Sequence, residues 1–215
     1  MEQIGPAISR FGLDHHGLSG LATAYWNLPT ALLVEHAVRR GEGDLAEGGP
    51  FVARTGKYTG RSPDDKFIVD RPSIRDAVNW GEVNRPIGPE SFDRLLELVK
   101  GHMKGREVFV QDLHAGADPD YRLPVRVVTT HAWHALFARN MFITPPESEL
   151  AGFEPGFTVL HAPDLQADPD GHGTNSEAFI VVDFDARTVL VGGTSYAGEI
   201  KKSIFGVLNH LLPDR

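Results

Sequence analysis

The sequence predicts an α/β fold of the α+β-like kind, a single domain in which helices flank a mixed β-sheet. Apolar runs typical of strands and segments with a helical period follow one another without strict alternation. The length of 215 residues suits one large domain or two small ones. Because the chain has no internal repeat and no low-complexity segment, we expect residues 1–215 to form one domain.

Four segments combine a helical period with helix start or stop signals. They are Leu28–Gly41, Glu90–Gly101, His131–Phe142 and Gly198–Pro213. In the first, Pro29 lies near the predicted start and Gly41 near the stop. Gly101 is predicted to end the second helix.

Seven short apolar segments are predicted to be strands. They are Pro50–Thr55, Lys66–Asp70, Arg106–Asp112, Pro124–Thr130, Phe157–His161, Ala178–Phe184 and Arg187–Val191. The last two are predicted to form a hairpin across Asp185-Ala186. Residues 41–50 are predicted to be a loop, and residues 71–90 an irregular segment with Trp80 as its main apolar anchor.

Composition excludes several classes of function. The 21 Lys and Arg against 29 Asp and Glu give a net charge of −8, and no basic block repeats, so we expect no nucleic-acid partner. The absence of cysteine excludes disulfides and thiolate metal sites. The chain has neither a secretory signal at its start nor an apolar run of membrane-spanning length, so we expect no membrane association and a cytoplasmic location.

The stretch "ARTGKYTGRSPDDKF" (residues 53–67) looks at first like a phosphate-binding loop. It fails the G-x-x-x-x-G-K-[ST] pattern twice, because Phe51 takes the place of the first glycine and Tyr58 the place of the hydroxyl residue. What remains is Arg61, whose planar guanidinium suits a carboxylate or phosphate. The stretch therefore predicts a site for a small anion, with surface pairing of Arg61 with Asp64 or Asp65 as the alternative.

Two other polar clusters are weaker candidates for metal sites. Gln166–Glu177 resembles a calcium loop, but position 1 is Gln166 instead of Asp and its flanks are predicted strands, so we expect a polar surface loop. His131 and His134 lie three residues apart on a predicted helix and could give two metal ligands on one face. Since no third ligand follows at a recognisable spacing, a helix-terminal and a packing histidine are favoured.

The stretch "GGTSYAGEIKKSIF" (residues 192–205) joins a predicted buried strand to the last helix through a glycine-rich turn. Ligands bind at such strand ends in open α/β sheets. Tyr196 supplies a phenol, and Lys201 and Lys202 supply two cations. If the ends of the predicted strands meet at one edge of the sheet, we expect these groups and Arg61 to form one anion pocket. The alternative is a solvated helix face in which Glu199 pairs with Lys202.

These stretches together resemble a known family. "TGKYTGRSPDDKF", "AWHALFARNMF" and "GGTSYAGEIKKSIF…LNHLLP" are similar to three sequence blocks of ATP-dependent phosphoenolpyruvate carboxykinase. The blocks are long, and the similarity runs in order from about Leu21 to Pro213.

The resemblance implies conversion of oxaloacetate and ATP to phosphoenolpyruvate, CO2 and ADP, a step of gluconeogenesis. It implies that Arg61 binds the substrate carboxylate, that Tyr196 lies over the substrate or CO2, and that Lys201 lies near the phosphates. Lys202 matches a lysine that contacts the substrate and cofactor and ligates Mn²⁺. Lys201 and Lys202 would thus be the catalytic residues.

The family's phosphate loop, its other metal ligands and its adenine pocket belong to a C-terminal domain that is absent from this chain. Residues 1–215 are therefore expected to be the N-terminal substrate-binding domain, inactive alone and without tightly bound ATP, Mn²⁺ or Mg²⁺. The missing domain would be its partner. The alternative is a stand-alone anion-binding or regulatory module.

Overall fold

A nine-stranded mixed sheet organises the part of the chain that the computed structural model describes, residues 1–212. Strands, in chain order, are β1 (Glu2–Ile4), β2 (Thr23–Trp26), β3 (Gly43–Leu45), β4 (Phe51–Ala53), β5 (Lys66–Val69), β6 (Arg85–Ile87), β7 (Glu107–Ala115), β8 (Leu123–Thr129), β9 (Phe157–Ala162), β10 (Phe179–Asp183) and β11 (Thr188–Gly192). Strands β3 and β4 form a separate antiparallel pair, and the other nine form the main sheet.

Helices connect these strands. They are α1 (Thr30–Arg39), α2 (Pro89–Met103), α3 (Ala132–Met141), α4 (Glu147–Leu150), α5 (Pro169–His172) and α6 (Gly198–Leu211). Two 3-10 helices occupy Leu13–His16 and Pro63–Asp65. None of the helices within residues 1–212 is long and apolar enough to cross a membrane.

The order of strands across the main sheet is β1-β2-β7-β8-β9-β11-β10-β5-β6. Neighbours are parallel except in two pairs, β7 with β8 and β10 with β11. The second pair is the hairpin that the sequence predicts. Because the chain reverses there, β9 and β11 end at the same edge of the sheet at which β10 and β5 begin.

Apolar side chains on both faces of the sheet make the core. Alternate residues of one strand point to opposite faces, so Val127 and Val128 of β8 enter different clusters. On one face, α2 packs through Phe92, Leu95 and Val99. The opposite face is covered by α6, with α1 and α3 beside it. The predicted mixed sheet flanked by helices is confirmed.

Several local predictions were wrong. Residues 41–50 are not all loop, because β3 pairs with β4 there. Helix α2 runs through Gly101 to Met103. Trp80 is only half-buried, and Ile74, 4% exposed, is the buried anchor of its segment. The last helix is confirmed as far as Leu211, and its predicted stop at Pro213 lies outside the described residues.

Candidate active site

Three loops meet at the edge of the sheet where β11 ends and β5 begins. The register pairs Gly192 of β11 with Phe179 of β10, and Ile180 of β10 with Lys66 of β5. Adjacent strands lie about 4.8 Å apart, so β11 and β5 are separated by about 10 Å here. The segments that carry Arg61 and Tyr196 therefore reach the same edge.

Arg61 lies in the exposed segment between β4 and β5. Within residues 1–212 its guanidinium has no ion-pair or side-chain hydrogen-bond partner, so pairing with the neighbouring aspartates is not found. Asp64 instead accepts a hydrogen bond from Arg85 at 2.7 Å, and Asp65 is buried. Arg61 is thus a cation available to a ligand.

Tyr196 follows β11 in the turn before α6 and is half-buried. Its ring lies against Gly198, where an added Cβ would be 2.4 Å from the tyrosine Cε1, so a larger residue at 198 would displace the ring. Beneath the turn, His134 of α3 is fully buried and its Nε2 lies 3.0 Å from the carbonyl oxygen of Ser195. Packing and hydrogen bonding therefore fix the position of this turn, residues 193–197, which we call the tyrosine turn.

The loop before β10 links the other two loops. Lys57 forms an ion pair with Glu177, and the Tyr58 hydroxyl lies 3.4 Å from the Ser176 hydroxyl. Gly193 has φ +69°, and a Cβ there would lie 2.3 Å from the carbonyl oxygen of Glu177. Only glycine fits this approach. The contacts hold the segment that carries Arg61 next to the glycine-rich turn.

Lys201 and Lys202 are both exposed on the first half of α6. Successive helical residues point about 100° apart, and the two ammonium groups accordingly have different surroundings. Lys201 lines a cleft of about 230 Å³ together with His114 and Phe205. The Lys202 ammonium lies 5.5 Å from the centre of the Phe205 ring. The two adjacent ammonium groups therefore lie on different parts of the surface.

Glu199 is a residue of this region whose role the sequence does not predict. It does not pair with Lys202, the alternative considered from the sequence. It is 4% exposed, and its carboxylate oxygen Oε1 accepts a hydrogen bond of 2.8 Å from the backbone N–H of Ser62. A glutamate in the first turn of a helix is common on any surface helix, so no sequence signal distinguishes this one.

Three charged groups influence one another at this point. Burial raises the pKa of Glu199, while the Ser62 N–H and the cations Arg61 and Lys66 oppose that rise. Burial lowers the pKa of Lys66, and the Glu199 carboxylate opposes this change. Glu199 therefore interacts with both cations, while the Asp65 carboxylate acts in the opposite sense and raises the pKa of Glu199.

The weaker metal candidates also have definite positions. His131 caps α3 and lies 2.8 Å from Asp164, whereas His134 is buried beside His161, as a helix-terminal and a packing histidine would be. The calcium-like loop runs between strands, after β9 and before β10. No cluster of three or more His, Asp or Glu side chains within residues 1–212 is arranged to hold a metal ion.

Comparison with known proteins identifies the family. The model of the family described as Phosphoenolpyruvate carboxykinase matches residues 22–215. The chain belongs to the phosphoenolpyruvate carboxykinase family. Within it, the chain is 53% identical over 204 residues to the "Phosphoenolpyruvate carboxykinase (ATP)" of Geobacter sp. strain M21. It is 57% identical over 197 residues to the protein of that name from Brevibacillus brevis.

The similarity covers most of this chain but a minor part of each carboxykinase. Against the Geobacter protein it includes 95% of this chain and 39% of the relative, and against the Brevibacillus protein 91% and 37%. The chain thus spans about two fifths of the length of these relatives. The matched residues include Arg61, Tyr196, Lys201 and Lys202.

Proposed function

We propose that this chain is the N-terminal, substrate-binding part of an ATP-dependent phosphoenolpyruvate carboxykinase that converts oxaloacetate to phosphoenolpyruvate in the cytoplasm. The observation that carries the proposal is the meeting of the Arg61 segment with the tyrosine turn at one edge of the sheet, through the Ser62–Glu199 hydrogen bond. Arg61 has no side-chain hydrogen-bond or ion-pair partner within residues 1–212, which leaves its guanidinium able to donate two hydrogen bonds to a carboxylate.

The chemistry of decarboxylation gives the cations of this site a role. Oxaloacetate is a dianion, and when the bond to CO2 breaks, its electron pair remains on the substrate as an enolate. Fixed cations stabilise such a developing charge without reorganisation. In the proposal Arg61 holds a carboxylate and Tyr196 orients the substrate. Lys202 stabilises negative charge on the reacting portion, and Lys201, on another part of the surface, lies nearer the phosphates.

We expect the metal and the nucleotide to be held mainly by residues outside this chain. Lys202 is the one metal ligand that the resemblance implies here, and no cluster of three or more His, Asp or Glu side chains within residues 1–212 is arranged to hold a metal ion. No G-x-x-x-x-G-K-[ST] sequence occurs in the chain. ATP and Mn²⁺ or Mg²⁺ therefore belong to the proposal through the family alone, and we expect the isolated chain to lack carboxykinase activity.

A chimaera tests the proposal, with residues 1–215 replacing the matching part of the Brevibacillus brevis relative. We expect it to form phosphoenolpyruvate from oxaloacetate, ATP and Mn²⁺, while residues 1–215 alone match the buffer blank. Arg61→Ala should raise KM for oxaloacetate roughly ten- to hundredfold, the effect of losing about 1.5–3 kcal/mol of charge-assisted binding.

Arg54→Ala, which removes another exposed arginine from the same connection, is the matched control and should leave KM unchanged. An unchanged KM in Arg61→Ala would contradict the substrate role of Arg61. Binding of oxaloacetate by an inactive chimaera would instead favour the stand-alone anion-binding module.

A further inference from the structure

Glu199 joins the two halves of the candidate site by two different groups. Its backbone N–H donates a hydrogen bond of 3.2 Å to the carbonyl oxygen of Tyr196. Its side-chain Oε1 accepts a hydrogen bond from the backbone N–H of Ser62, which is 137 residues away in the sequence and adjacent to Arg61. One residue therefore contacts the tyrosine turn through its main chain and the arginine segment through its carboxylate.

The surroundings of Glu199 make this contact rigid. The residue is 4% exposed, and Ser62 is 9% exposed, so water has little access to the bond. The backbone carbonyl of Glu199 also accepts a hydrogen bond of 2.8 Å from the Ser203 hydroxyl, one turn further along α6. A buried carboxylate without this donor would remain unsatisfied, which carries a large free-energy cost.

We propose that Glu199 is a positioning residue that fixes Arg61 relative to Tyr196. The inference rests on the proposed function, since it assigns a role in binding the dicarboxylate. Glu199 does not touch the substrate, because its carboxylate is directed to the backbone of Ser62. It sets the distance between the guanidinium and the phenol, and displacement of a binding group by about 1 Å can weaken catalysis about a hundredfold.

Hydrogen exchange in residues 1–215 tests the contact without any reference to activity. In Glu199→Ala the Ser62 amide should exchange at least tenfold faster than in the wild type. Glu199→Gln keeps an oxygen that can accept the bond and should retain most of the protection. Ser62→Ala keeps the N–H and is the matched control. Equal exchange at residue 62 in the wild type and in Glu199→Ala would overturn the proposal.

Glu199→Asp separates the hydrogen bond from the charge, and it serves if Glu199→Ala does not fold. The shorter side chain keeps the negative charge near Arg61 but withdraws the oxygen from Ser62. We expect its Ser62 amide to exchange as fast as in Glu199→Ala. Protection equal to that of the wild type would show that charge alone holds the segment and would overturn the positioning role.

Kinetics of the chimaera test the consequence for the substrate. Glu199→Ala and Glu199→Asp should raise KM for oxaloacetate about tenfold with a smaller change in kcat, and Glu199→Gln should restore most of the affinity. If Arg61→Ala raises KM while Glu199→Ala and Glu199→Asp do not, the proposed function stands and this inference fails. If the wild-type chimaera has no turnover and binds no oxaloacetate, the proposed function fails. The substrate role of Glu199 then fails as well, because it rests on that function.

Discussion

Two arginines of this chain, Arg126 and Arg61, occupy opposite environments. Arg126 on β8 is fully buried, and its Nε and Nη2 donate hydrogen bonds of 2.7 and 3.0 Å to the two carboxylate oxygens of Asp112 on β7. Its remaining Nη1 donates to the carbonyl oxygen of Phe11. Arg61 is exposed and has no such partner within residues 1–212. The first guanidinium is satisfied by the protein, and the second is not.

The difference separates a structural charge from a candidate binding charge. Burying an ion pair costs desolvation energy that complete hydrogen bonding offsets, so such a pair is found where every donor has an acceptor. The exposed guanidinium of Arg61 interacts with the Glu199 carboxylate only at a distance, without a hydrogen bond, and remains able to bind an anion. Stability and ligand binding should therefore respond in opposite ways when each arginine is replaced.

The largest effect is expected on stability when Arg126 is replaced. Arg126→Met leaves the Asp112 carboxylate buried without its cation, which should lower the free energy of unfolding by about 3–5 kcal/mol. Urea denaturation of residues 1–215 measures this free energy of unfolding. Arg61→Ala removes an exposed group and should change the same quantity by no more than about 0.5 kcal/mol.

A double replacement checks that the effect comes from the uncompensated charge. Arg126→Met combined with Asp112→Leu should recover most of the lost stability, because both charges are then absent from the interior. If Arg126→Met were as stable as the wild type, or if Arg61→Ala were equally destabilising, the distinction between the two arginines would be wrong.

A smaller effect, dependent on pH, is expected from the buried histidines beneath the tyrosine turn. Burial, together with the nearby His131, lowers the pKa of His161 to about 3. An unfolded histidine titrates near 6.5, so below that pH the unfolded state binds the proton and the folded state does not. Stability should therefore fall as the pH falls from about 6.5 toward 3.

His161→Asn isolates the contribution of one side chain. Between pH 7.5 and 5.5 the wild type should lose about 1.4 kcal/mol more stability than this variant. Above pH 7.5 the two stability curves should run parallel, which is the internal control. Equal losses in both proteins on acidification would mean that His161 takes up its proton in the folded state.

The smallest effect is expected for calcium. Glu177, the last residue of the calcium-like loop, already forms an ion pair with Lys57. Calorimetric titration of residues 1–215 with Ca²⁺ should therefore be flat. Saturable micromolar binding that is lost in Glu177→Ala would show that this carboxylate is available to a ligand, contrary to its pairing with Lys57.

Much of the fold was predictable because its central strands are long apolar runs and its main helices keep a regular period. The hairpin of β10 and β11 and the last helix were recognised in this way. Strands β1 and β2 were missed because each has only three or four residues, and they are held by parallel partners distant in sequence. Such strands depend on tertiary pairing more than on local preference.

The candidate site was predictable in part. The ends of the predicted strands suggested that the Arg61 segment and the tyrosine turn approach each other, and the sheet brings the two segments to one edge. That Arg61 and Tyr196 share one anion pocket stays a prediction. The role proposed for Glu199 was not predictable. A carboxylate in the first turn of a helix gives no indication of the distant backbone N–H from which it accepts a hydrogen bond.

The separation of Ser62 and Glu199 along the chain has a consequence for synthesis on the ribosome. The hydrogen bond between them spans 137 residues. At about 5–20 residues per second, roughly 7–27 s pass between the emergence of the donor and that of the acceptor. Strand β5 is made before its partner β10 by a somewhat shorter interval, because the paired residues Lys66 and Ile180 are closer in sequence than Ser62 and Glu199. During translation the segment that carries Arg61 is therefore without this hydrogen-bond partner until Glu199 has been made.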